Sequence, residues 1–476
     1  MYKIRLKNVA KAHQYEELTK IFIKPEEFII VLDEKDVNAS NSISQEEFDN
    51  NRELTDKINK SFEFSLDESR EQLAKDMFIA FNEEFGKRPV WGTLTGIRPV
   101  KLFGDLTGET GSRDKAKAIL RNLYMVSDSK SETVADIYDY QMKTAGKAEK
   151  NSLGLYIGIP FCPTRCLYCS FTSNTASQDV IEKYLEALIE ELDFVGAEMK
   201  DRGLYAESVY IGGGTPTTLT AEQLDKLLYK LRMNVDLDRL KEITLEAGRP
   251  DTVTEEKLKT AVKYGVNRIS INPQTMNDNT LKLIGRAHRA DETIKAFELA
   301  RGVGVKEINM DLITGLPGET TGDFAYTLDK VLSMSPENIT VHTLAVKRAS
   351  RLAEKDKNYH YHHADEAGEM MEYAYEKLGA EGYIPYYLYR QKHMTGAGEN
   401  VGFCKIGTEN LYNIRIMDEH QSILALGAGG VSKVYFPEEN RLERTANVSN
   451  YEIYMQRLEE MKERKLKNFF MEVEKC

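Results

Sequence analysis

Short apolar segments alternate with longer amphipathic segments through the middle of this chain, and this alternation restricts the fold more than any other feature. Six segments between Leu155 and Val346 are typical of strands: LYIGIPF, SVYIGGG, EITLEAG, RISINPQ, EINMDLITGLP and ENITVHTLAV. Helical segments such as IEKYLEALIEELDFVGAEMK and AEQLDKLLYKLRM separate them. Strands that alternate with helices form a parallel sheet, because each helix returns the chain to the edge where the previous strand began. The pattern therefore predicts an α/β fold, as an open sheet or a barrel.

Regions without this alternation flank it on both sides. Residues 1–150 predict an N-terminal α/β domain and a helical connector, with strand-like IFIKPEEFIIVLDE, acidic NASNSISQEEFDNNRE, a helix near 71–85 and the linking segment RPVWGTLTGIRPVKLF. Residues 352–476 predict a C-terminal α+β subdomain, with the helix HADEAGEMMEYAYEKLGAEGY, the tyrosine-rich strand region YIPYYLYRQKHM and a last helix near 451–467. We therefore expect three domains, at 1–150, 151–351 and 352–476.

Charge and composition narrow the class of protein. The chain of 476 residues is 41% hydrophobic and 29% charged, which is typical of a globular protein. Its formal net charge of −12 argues against general affinity for nucleic acid, and an anionic substrate would need a local basic pocket. The N-terminal segment lacks the apolar core of a signal peptide, and no apolar run reaches membrane-spanning length. We expect a cytoplasmic monomer with no nucleic-acid partner and no membrane span.

Three of the five cysteines, Cys162, Cys166 and Cys169, fall within the short segment PFCPTRCLYC. Structural zinc needs four closed ligands, and the next cysteine, Cys404, belongs to a different predicted domain. A disulfide would leave one thiol of the three idle, and an odd number of cysteines does not suggest a disulfide framework. A [4Fe–4S] cluster takes thiolates at its corners, so three of them leave one iron open to a small molecule. The spacing C-x-x-x-C-x-x-C therefore favours an iron–sulfur cluster.

The segment YIGIPFCPTRCLYC resembles the cluster motif of radical S-adenosylmethionine (SAM) enzymes. It is most similar to the branch that contains oxygen-independent coproporphyrinogen III oxidase, whose motif reads Y-x-H-I-P-F-C-x-x-x-C-x-Y-C. WGTLTGIRPVK and YLYRQKHMTGAGENVGF resemble the HemZ-type coproporphyrinogen dehydrogenases within that branch. The resemblance implies a partial (β/α)6 barrel of TIM type, a C-terminal subdomain that covers the substrate, and a [4Fe–4S] cluster with SAM as cofactors.

The resemblance also implies which residues bind SAM. They follow strands or lie in strand-end motifs such as IGGGTPT, ITLEAG, SINPQTMND, LIGRAH and NMDLITGLPGET, and they are Tyr156, Tyr168, Gly213, Gly214, Thr215, Glu246, Gln274, Arg286, Asp311 and Ala345. Without the resemblance, other interpretations stay open. The glycine run could form only a tight turn, Glu246 could be a surface carboxylate and Arg286 could be a plain surface cation. Three cations of AVKRASR form either a solvated basic turn or an anchor for a polycarboxylate substrate: Lys347, Arg348 and Arg351.

The implied reaction is oxidative decarboxylation in haem biosynthesis. A radical derived from SAM takes a hydrogen atom from a propionate of coproporphyrinogen III, and loss of CO2 and an electron leaves a vinyl group. Two rounds give protoporphyrinogen IX, and an electron donor such as flavodoxin or ferredoxin reduces the cluster. The family's chemistry thus belongs to its cofactors, while the protein positions a tetrapyrrole substrate and excludes oxygen and water.

Three departures from the family pattern leave the reaction open. Gly158 stands where the motif has histidine, Phe171 where the known oxidases have an extra cysteine, and ENLYN (Glu409–Asn413) replaces a motif with histidine and tryptophan. One alternative is a haem-binding or haem-transfer protein without decarboxylase activity. The other is a different radical SAM reaction on a tetrapyrrole, such as methyl transfer with ring opening. We expect neither a metal site at YHYHH nor a dinucleotide fingerprint at GAGG, which lacks the βαβ context.

Overall fold

The computed structural model describes residues 1–36, 38–95, 98–169, 174–347, 350–356, 359, 363–391, 394–395 and 398–475. Its internal contacts divide the chain into two compact units. The first comprises residues 1–139, 358–365 and 388–399, and the second comprises residues 140–357, 366–387 and 400–476. The domain boundaries expected at residues 150 and 351 stay predictions. Within the described ranges, every helix is too short or too polar to cross a bilayer.

The first unit contains a parallel sheet of four strands in the order β3-β2-β1-β4. Its strands are β1 (Tyr2–Lys7), β2 (Phe28–Leu32), β3 (Ser42–Ser44) and β4 (Lys60–Ser65), and its helices are α1 (His13–Phe22), α2 (Gln45–Asp49), α3 (Arg52–Asp56), α4 (Arg70–Phe85), α5 (Pro99–Thr110), α6 (Arg113–Asn122) and the first part of α7 (Asp128–Thr144). Side chains of α1 and α4 pack against β1 and β2 in one apolar core. The strand expected over IFIKPEEFII begins only at Phe28, because Ile21 and Phe22 end α1 and Pro25 begins a 3-10 turn.

Six parallel strands of the second unit lie side by side in chain order, which confirms the predicted partial barrel. They are β5 (Ser152–Ile159), β6 (Tyr205–Gly213), β7 (Glu242–Glu246), β8 (Arg268–Ser270), β9 (Glu307–Thr314) and β10 (Asn338–Thr343). The helices that connect or follow them are α8 (Gln178–Asp201), α9 (Ala221–Asn234), α10 (Glu255–Lys263), α11 (Asp278–Leu283), α12 (Ala290–Gly302), α13 (Thr321–Met334) and α14 (Arg351–Lys355). The carboxyl ends of all six strands therefore meet at one end of the barrel.

The C-terminal region adds strands to both edges of the same sheet. They are β11 (Ile384–Tyr389), β12 (Asn400–Cys404), β13 (Ser422–Leu426), β14 (Val431–Phe436) and β15 (Arg441–Ala446). β12 pairs with β10, β13 pairs with β5, and β11 and β15 form the edges, so the barrel stays open. The remaining helices are α15 (Ala364–Ala380), α16 (Leu411–Asp418), α17 (Tyr451–Gln456), α18 (Leu458–Lys465) and α19 (Met471–Val473), with a π-helical turn at Leu466–Phe470.

The start of α16 closes the amino-terminal end of the barrel. The amides of Leu411 and Tyr412 donate to the carboxylate of Glu242 at 3.0 and 3.2 Å, and Asn410 Nδ2 donates to Thr244 Oγ1 at 2.9 Å. Glu242 begins β7, whereas Glu246 ends it, and four residues of strand span roughly 13 Å. The segment ENLYN, which replaces a motif of the family, therefore lies at the amino-terminal end of the barrel strands. The strand-end motifs lie at the opposite end.

Candidate functional site

The cysteine segment forms a loop directly after β5, and main-chain hydrogen bonds hold it on several sides. The amide of Cys162 donates to Asn174 O at 2.9 Å. The amide of Leu167 donates to Ile284 O at 2.8 Å, while its carbonyl accepts from the amide of Leu352 at 3.0 Å. The loop is thus fixed between the turn after α11 and the start of α14, which gives its cysteines defined positions.

The three thiols of this loop are not joined in a disulfide, and they can serve as ligands of an iron–sulfur cluster. Thr215 Oγ1 donates to Cys162 Sγ at 3.4 Å, and the amide of Cys169 donates to Cys166 O at 3.3 Å. Burial raises the pKa of the Cys162 thiol to about 11, and the two other thiols add to this rise. Among the described residues, no three His, Cys, Asp or Glu side chains converge as one ion would require. The thiolates around a [4Fe–4S] cluster lie farther apart than those around one ion, because each thiolate binds its own iron.

The glycine run at the end of β6 brings that strand into close contact with the cysteine loop. The amides of Gly214 and Thr215 donate to the carbonyl oxygens of Ile159 and Phe161, both at 2.7 Å. A Cβ atom on Gly214 would lie 2.5 Å from Phe161 O, and Gly213 has φ +110°. The run is therefore a tight turn and also a wall of the site. These two amides bond to the chain itself and are therefore engaged in holding the turn.

Glu246 turns into the barrel at the end of β7 and is not a surface carboxylate. A Cβ atom on Gly212 would lie 2.7 Å from Glu246 Oε2, so the side chain crosses the end of β6. Burial, and then the charge of Asp311, raise the pKa of Glu246 to about 8, against the opposing effects of the Gly213 amide and Arg286. The raised pKa favours the protonated form of this carboxyl group.

Asp311 lies in β9 and pairs with a histidine that the sequence motifs did not reveal. Asn309 Nδ2 donates to Asp311 Oδ1 at 2.7 Å, and His342 Nε2 lies 3.7 Å from Asp311 Oδ2. Burial alone would raise the pKa of Asp311, but His342, Asn309 and Thr340 lower it below its usual range. The sequence signal that could have revealed His342 is strand alternation. Thr340 pairs with Asp311, and His342 lies two residues after Thr340 in β10, so it faces the same side of the sheet.

Gln274 and Arg286 are both buried at this end of the barrel. Gln274 has φ +68°, which is unusual outside glycine, and its main-chain amide donates to the main-chain oxygen of Asp311 at 2.9 Å. Arg286 is only 9% exposed, and its Nη1 donates to Asn272 O at 2.6 Å. Its Nη2 donates to the hydroxyl of Tyr168 at 3.4 Å. Arg286 is therefore part of the site and not a plain surface cation.

The other residues of the expected set lie at the same end. Tyr156 stacks on Tyr210 with ring centroids 6.3 Å apart, and burial and the charge of Glu246 raise the pKa of its phenol. Burial also raises the pKa of Tyr168. Ala345 follows β10 and is half-buried. The structure thus places Tyr156 and Asp311 within β5 and β9 and the rest of the set at or after the carboxyl ends of the strands, while the role of each residue in binding SAM stays a prediction.

Several positions singled out by the sequence lie outside the described residues, namely Phe171, Arg348, 360–362 of YHYHH and Cys476. Lys347 is half-buried, and burial lowers its pKa while the charge of Cys169 opposes this. Arg351 is exposed at the start of α14. Gly158 has little room for a side chain, because a Cβ atom there would lie 3.2 Å from Leu426 O. The family's histidine would therefore need β13 to move.

One barrel helix, α8, and one C-terminal helix, α17, pack against the cysteine loop, which sequence motifs did not predict. Phe161 packs edge-on between Tyr184 of α8 and Tyr451 of α17, with ring centroids 5.2 and 5.3 Å away. Tyr184 also donates to Gly158 O at 2.7 Å. On the other side, Arg249 Nη1 donates to Thr164 Oγ1 at 3.0 Å. Distant parts of the chain therefore hold the loop in place.

Comparison with known proteins agrees with this geometry. Residues 156–331 match the family model of the radical SAM superfamily. The chain is 41% identical over 383 residues to the oxygen-independent coproporphyrinogen-III oxidase-like protein HemZ of Bacillus subtilis, covering 79% of this chain and 76% of that protein. It is 34% identical over 307 residues to the heme chaperone HemW of Haemophilus influenzae, covering 63% and 75%. The structure of coproporphyrinogen III oxidase (HemN) from Escherichia coli aligns with a TM-score of 0.52 and 22% identity over 68% of this chain and 73% of that one, a likeness of fold alone.

Proposed function

Because the chain belongs to the radical SAM superfamily, in the branch of oxygen-independent coproporphyrinogen-III oxidase-like proteins, we propose that it oxidatively decarboxylates propionates of coproporphyrinogen III. The product would be protoporphyrinogen IX. The similarity that supports this covers 383 residues, more than the predicted barrel domain of residues 151–351 contains. The likeness therefore includes regions outside the barrel, where substrate contacts differ most between radical SAM enzymes of different specificity.

In this proposal the thiolates of Cys162, Cys166 and Cys169 hold the [4Fe–4S] cluster. When the cluster and SAM are bound, they supply one-electron chemistry that can remove a hydrogen atom from an unactivated C–H bond. Thr215 donates a hydrogen bond to the sulfur of Cys162, which stabilises negative charge on it. The chain's own task is to hold the cofactor and the substrate carbon close together and to exclude water.

The charges at the barrel mouth suit a substrate with several carboxylates. The raised pKa of Glu246 favours its neutral form, and Asp311 lies beside His342. Arg286 and Lys347 bring two cations to the same end. The negative charge of the two carboxylates is thus partly offset, so propionate groups can approach with less repulsion than the acidic composition suggests.

The experiment is an anaerobic assay of the reconstituted protein with dithionite, SAM and coproporphyrinogen III. We expect CO2, methionine, 5′-deoxyadenosine and a product with vinyl groups in mass spectrometry. The variant Cys162→Ala should give none of these and should lose the cluster absorbance. Production of 5′-deoxyadenosine without vinyl product would refute the proposal.

The relatives named heme chaperone HemW favour a second candidate, a protein that binds and transfers haem without decarboxylation. Stoichiometric haem uptake with no turnover of coproporphyrinogen would support it. A methylated or ring-opened pigment together with 5′-deoxyadenosine would indicate instead another radical SAM reaction on a tetrapyrrole. We prefer decarboxylation because 41% identity over 79% of the chain exceeds 34% over 63%.

A further inference from the structure

Arg249 is a buried cation that the sequence motifs did not single out. It follows β7 in the segment ITLEAGRPD. The turn Pro250–Thr252 begins directly after it, and the amide of Thr252 donates to Arg249 O at 3.0 Å. Arg249 is not a member of the set expected to bind SAM. Its burial calls for an explanation, because the transfer of a charged group out of water is costly.

The side chain of Arg249 joins the cysteine loop to one carboxylate. Its Nη1 donates to Thr164 Oγ1 at 3.0 Å and to Thr164 O at 3.4 Å. Its Nε and Nη2 both donate to the carboxylate of Asp251, each at 3.1 Å. Every nitrogen of the guanidinium is therefore bonded, and the group is held in one orientation, with Nη1 towards the loop and the other edge towards Asp251.

Thr164 occupies the middle of the cysteine segment. It lies two residues after Cys162 and two before Cys166, so its Cα is at most about 7 Å from either of theirs. Its hydroxyl accepts from Arg249 and donates to Gly285 O at 3.2 Å, in the turn after α11. Arg249 therefore fixes the part of the loop on which the separation of these two cysteines depends.

The charged groups around Arg249 leave the positive end of its ion pair towards the loop. The side chain of Asp251 is 21% exposed and that of Arg249 is 4% exposed, so water screens the negative charge more than the positive one. His288 Nδ1 lies 3.9 Å from Asp251 Oδ1. Burial, and then the charge of Arg286, lower the pKa of His288 to about 3, which favours its neutral form. Arg286 brings a second buried cation to the loop through its hydrogen bond to Tyr168.

We propose that Arg249 is a positioning residue for the cluster, which fixes the span between Cys162 and Cys166 and raises the reduction potential of the bound group. A [4Fe–4S] core with three thiolates is an anion, and reduction adds a further negative charge, so a nearby cation favours the reduced form. This role rests on the cluster of the proposed function and not on the decarboxylation step. Loss of the charge of Arg249 should lower the potential, whereas loss of the charge of Asp251 should raise it.

The test measures the midpoint potential of the cluster in protein reconstituted without air. Neither SAM nor tetrapyrrole is present, so the outcome does not depend on the decarboxylation assay. Dithionite supplies one electron to the oxidised cluster, and the reduced form is quantified by electron paramagnetic resonance at a series of potentials. Arg249→Gln and Asp251→Asn are compared with the wild type. The amide oxygen introduced by Asp251→Asn can still accept one hydrogen bond from the guanidinium.

Arg415→Gln is the matched control, because it also removes a buried guanidinium from an ion pair. Arg415 Nε lies 2.9 Å from Glu207 Oε2, and both side chains are almost fully buried. Glu207 is the third residue of β6, roughly 20 Å along the strand from Gly213 at its carboxyl end. The control therefore reproduces the loss of a buried cation far from the cysteine loop.

We expect Arg249→Gln to weaken one-electron reduction of the cluster about tenfold, from the loss of one charge roughly 10 Å away at an effective dielectric constant of about 20. A tenfold change corresponds to a fall of about 59 mV. Asp251→Asn should strengthen reduction by a smaller factor, and Arg415→Gln should change it less than about twofold. Arg249→Gln should also lose iron to a chelator at least about threefold faster than the wild type, because the loop is less firmly held.

Shifts of the same sign in Arg249→Gln and Asp251→Asn would overturn the proposal, because a distorted loop would then explain both. So would a potential unchanged in Arg249→Gln, or an equal shift in Arg415→Gln. If Arg249→Gln does not keep its cluster, Asp251→Asn retains the guanidinium and decides alone, and the absence of a rise in its potential would refute the role of charge.

Discussion

Replacing Gly214 by alanine tests whether the close contact between β6 and the cysteine loop builds the cluster site. The added Cβ would lie 2.5 Å from Phe161 O and 2.9 Å from both Phe161 C and N. These are backbone atoms, so no side chain can rotate away, and the two strands must separate. The amides of Gly214 and Thr215 would then lose or lengthen their hydrogen bonds to Ile159 and Phe161.

The expected cost follows from these contacts. Loss of two hydrogen bonds at about 1 kcal/mol each, with overpacking of about 1–3 kcal/mol, gives a decrease of about 3–5 kcal/mol in the free energy of unfolding. Because the displaced segment leads into Cys162, we also expect most of the iron to be lost. Urea unfolding of the cluster-free protein followed by circular dichroism measures the first effect, and iron content after anaerobic reconstitution measures the second.

Gly368 provides the matched control. It is exposed within α15, and a Cβ atom there would meet nothing within 4 Å. Gly368→Ala should therefore stabilise the helix by about 0.5–1 kcal/mol and leave the iron content unchanged. If Gly214→Ala matched wild type within about 0.5 kcal/mol and kept its full iron content, our account of the glycine run would be wrong.

Three further predictions concern buried charges. Lys465→Met should destabilise the protein by about 3–5 kcal/mol in urea unfolding, because Glu191, 2.6 Å from Lys465 Nζ, would keep an uncompensated buried charge, and adding Glu191→Gln should recover part of the loss. Glu246→Gln should flatten the pH dependence of stability. Because the pKa of Glu246 is raised to about 8, the folded protein keeps a proton that the unfolded chain releases above pH of about 4.3, so the stability of the wild type falls as pH rises towards about 8. Thermal unfolding between pH 5 and 8, without ligand, should show this fall in the wild type and not in the variant. His342→Gln should raise the pKa of Asp311. The lowered pKa of Asp311 stabilises the wild-type fold above the unfolded pKa, and this stabilisation is lost as pH falls, so the variant should lose stability at a higher pH than the wild type. An NMR titration in which the Asp311 carboxyl is the same in both proteins would show that the pairing is absent.

The buried network around Glu191 explains how the C-terminal region holds β5, the strand that leads into the cysteine loop. Glu191 of α8 accepts from Lys465 of α18, from Tyr454 of α17 at 2.7 Å and from the amide of Gly427 at 2.7 Å. Gly427 has φ +86°, and a Cβ there would lie 2.5 Å from Gly158 O. The GAGG turn is therefore a close packing point between β13 and the cysteine strand.

Local patterns were enough to predict the parallel α/β sheet and the cluster loop, and the resemblance of the cysteine segment to radical SAM enzymes implied the partial barrel. Strand and helix periodicities are set by neighbouring residues, and six alternations permit few arrangements, of which the structure shows β5 to β10 in chain order. The cysteine spacing is also local, because one loop of ten residues carries all three thiols. Strand-end position further indicated that Glu246 and Asp311 would share one end of the barrel.

Contacts between distant parts of the chain decided the rest. From the sequence, Arg286 could have been a surface cation. Only the structure shows that it is buried and that it donates hydrogen bonds to Tyr168 and to Asn272 O. His342 belongs to no recognised motif. Its role depends on its pairing with Asp311, which lies 31 positions earlier in the chain and faces the same side of the sheet. Burial and charge at a site are sums over neighbours from many segments, and a linear pattern does not contain those sums. The chain alone therefore identified the kind of chemistry, whereas the tertiary structure determined the charge and surroundings of the groups that would carry it out.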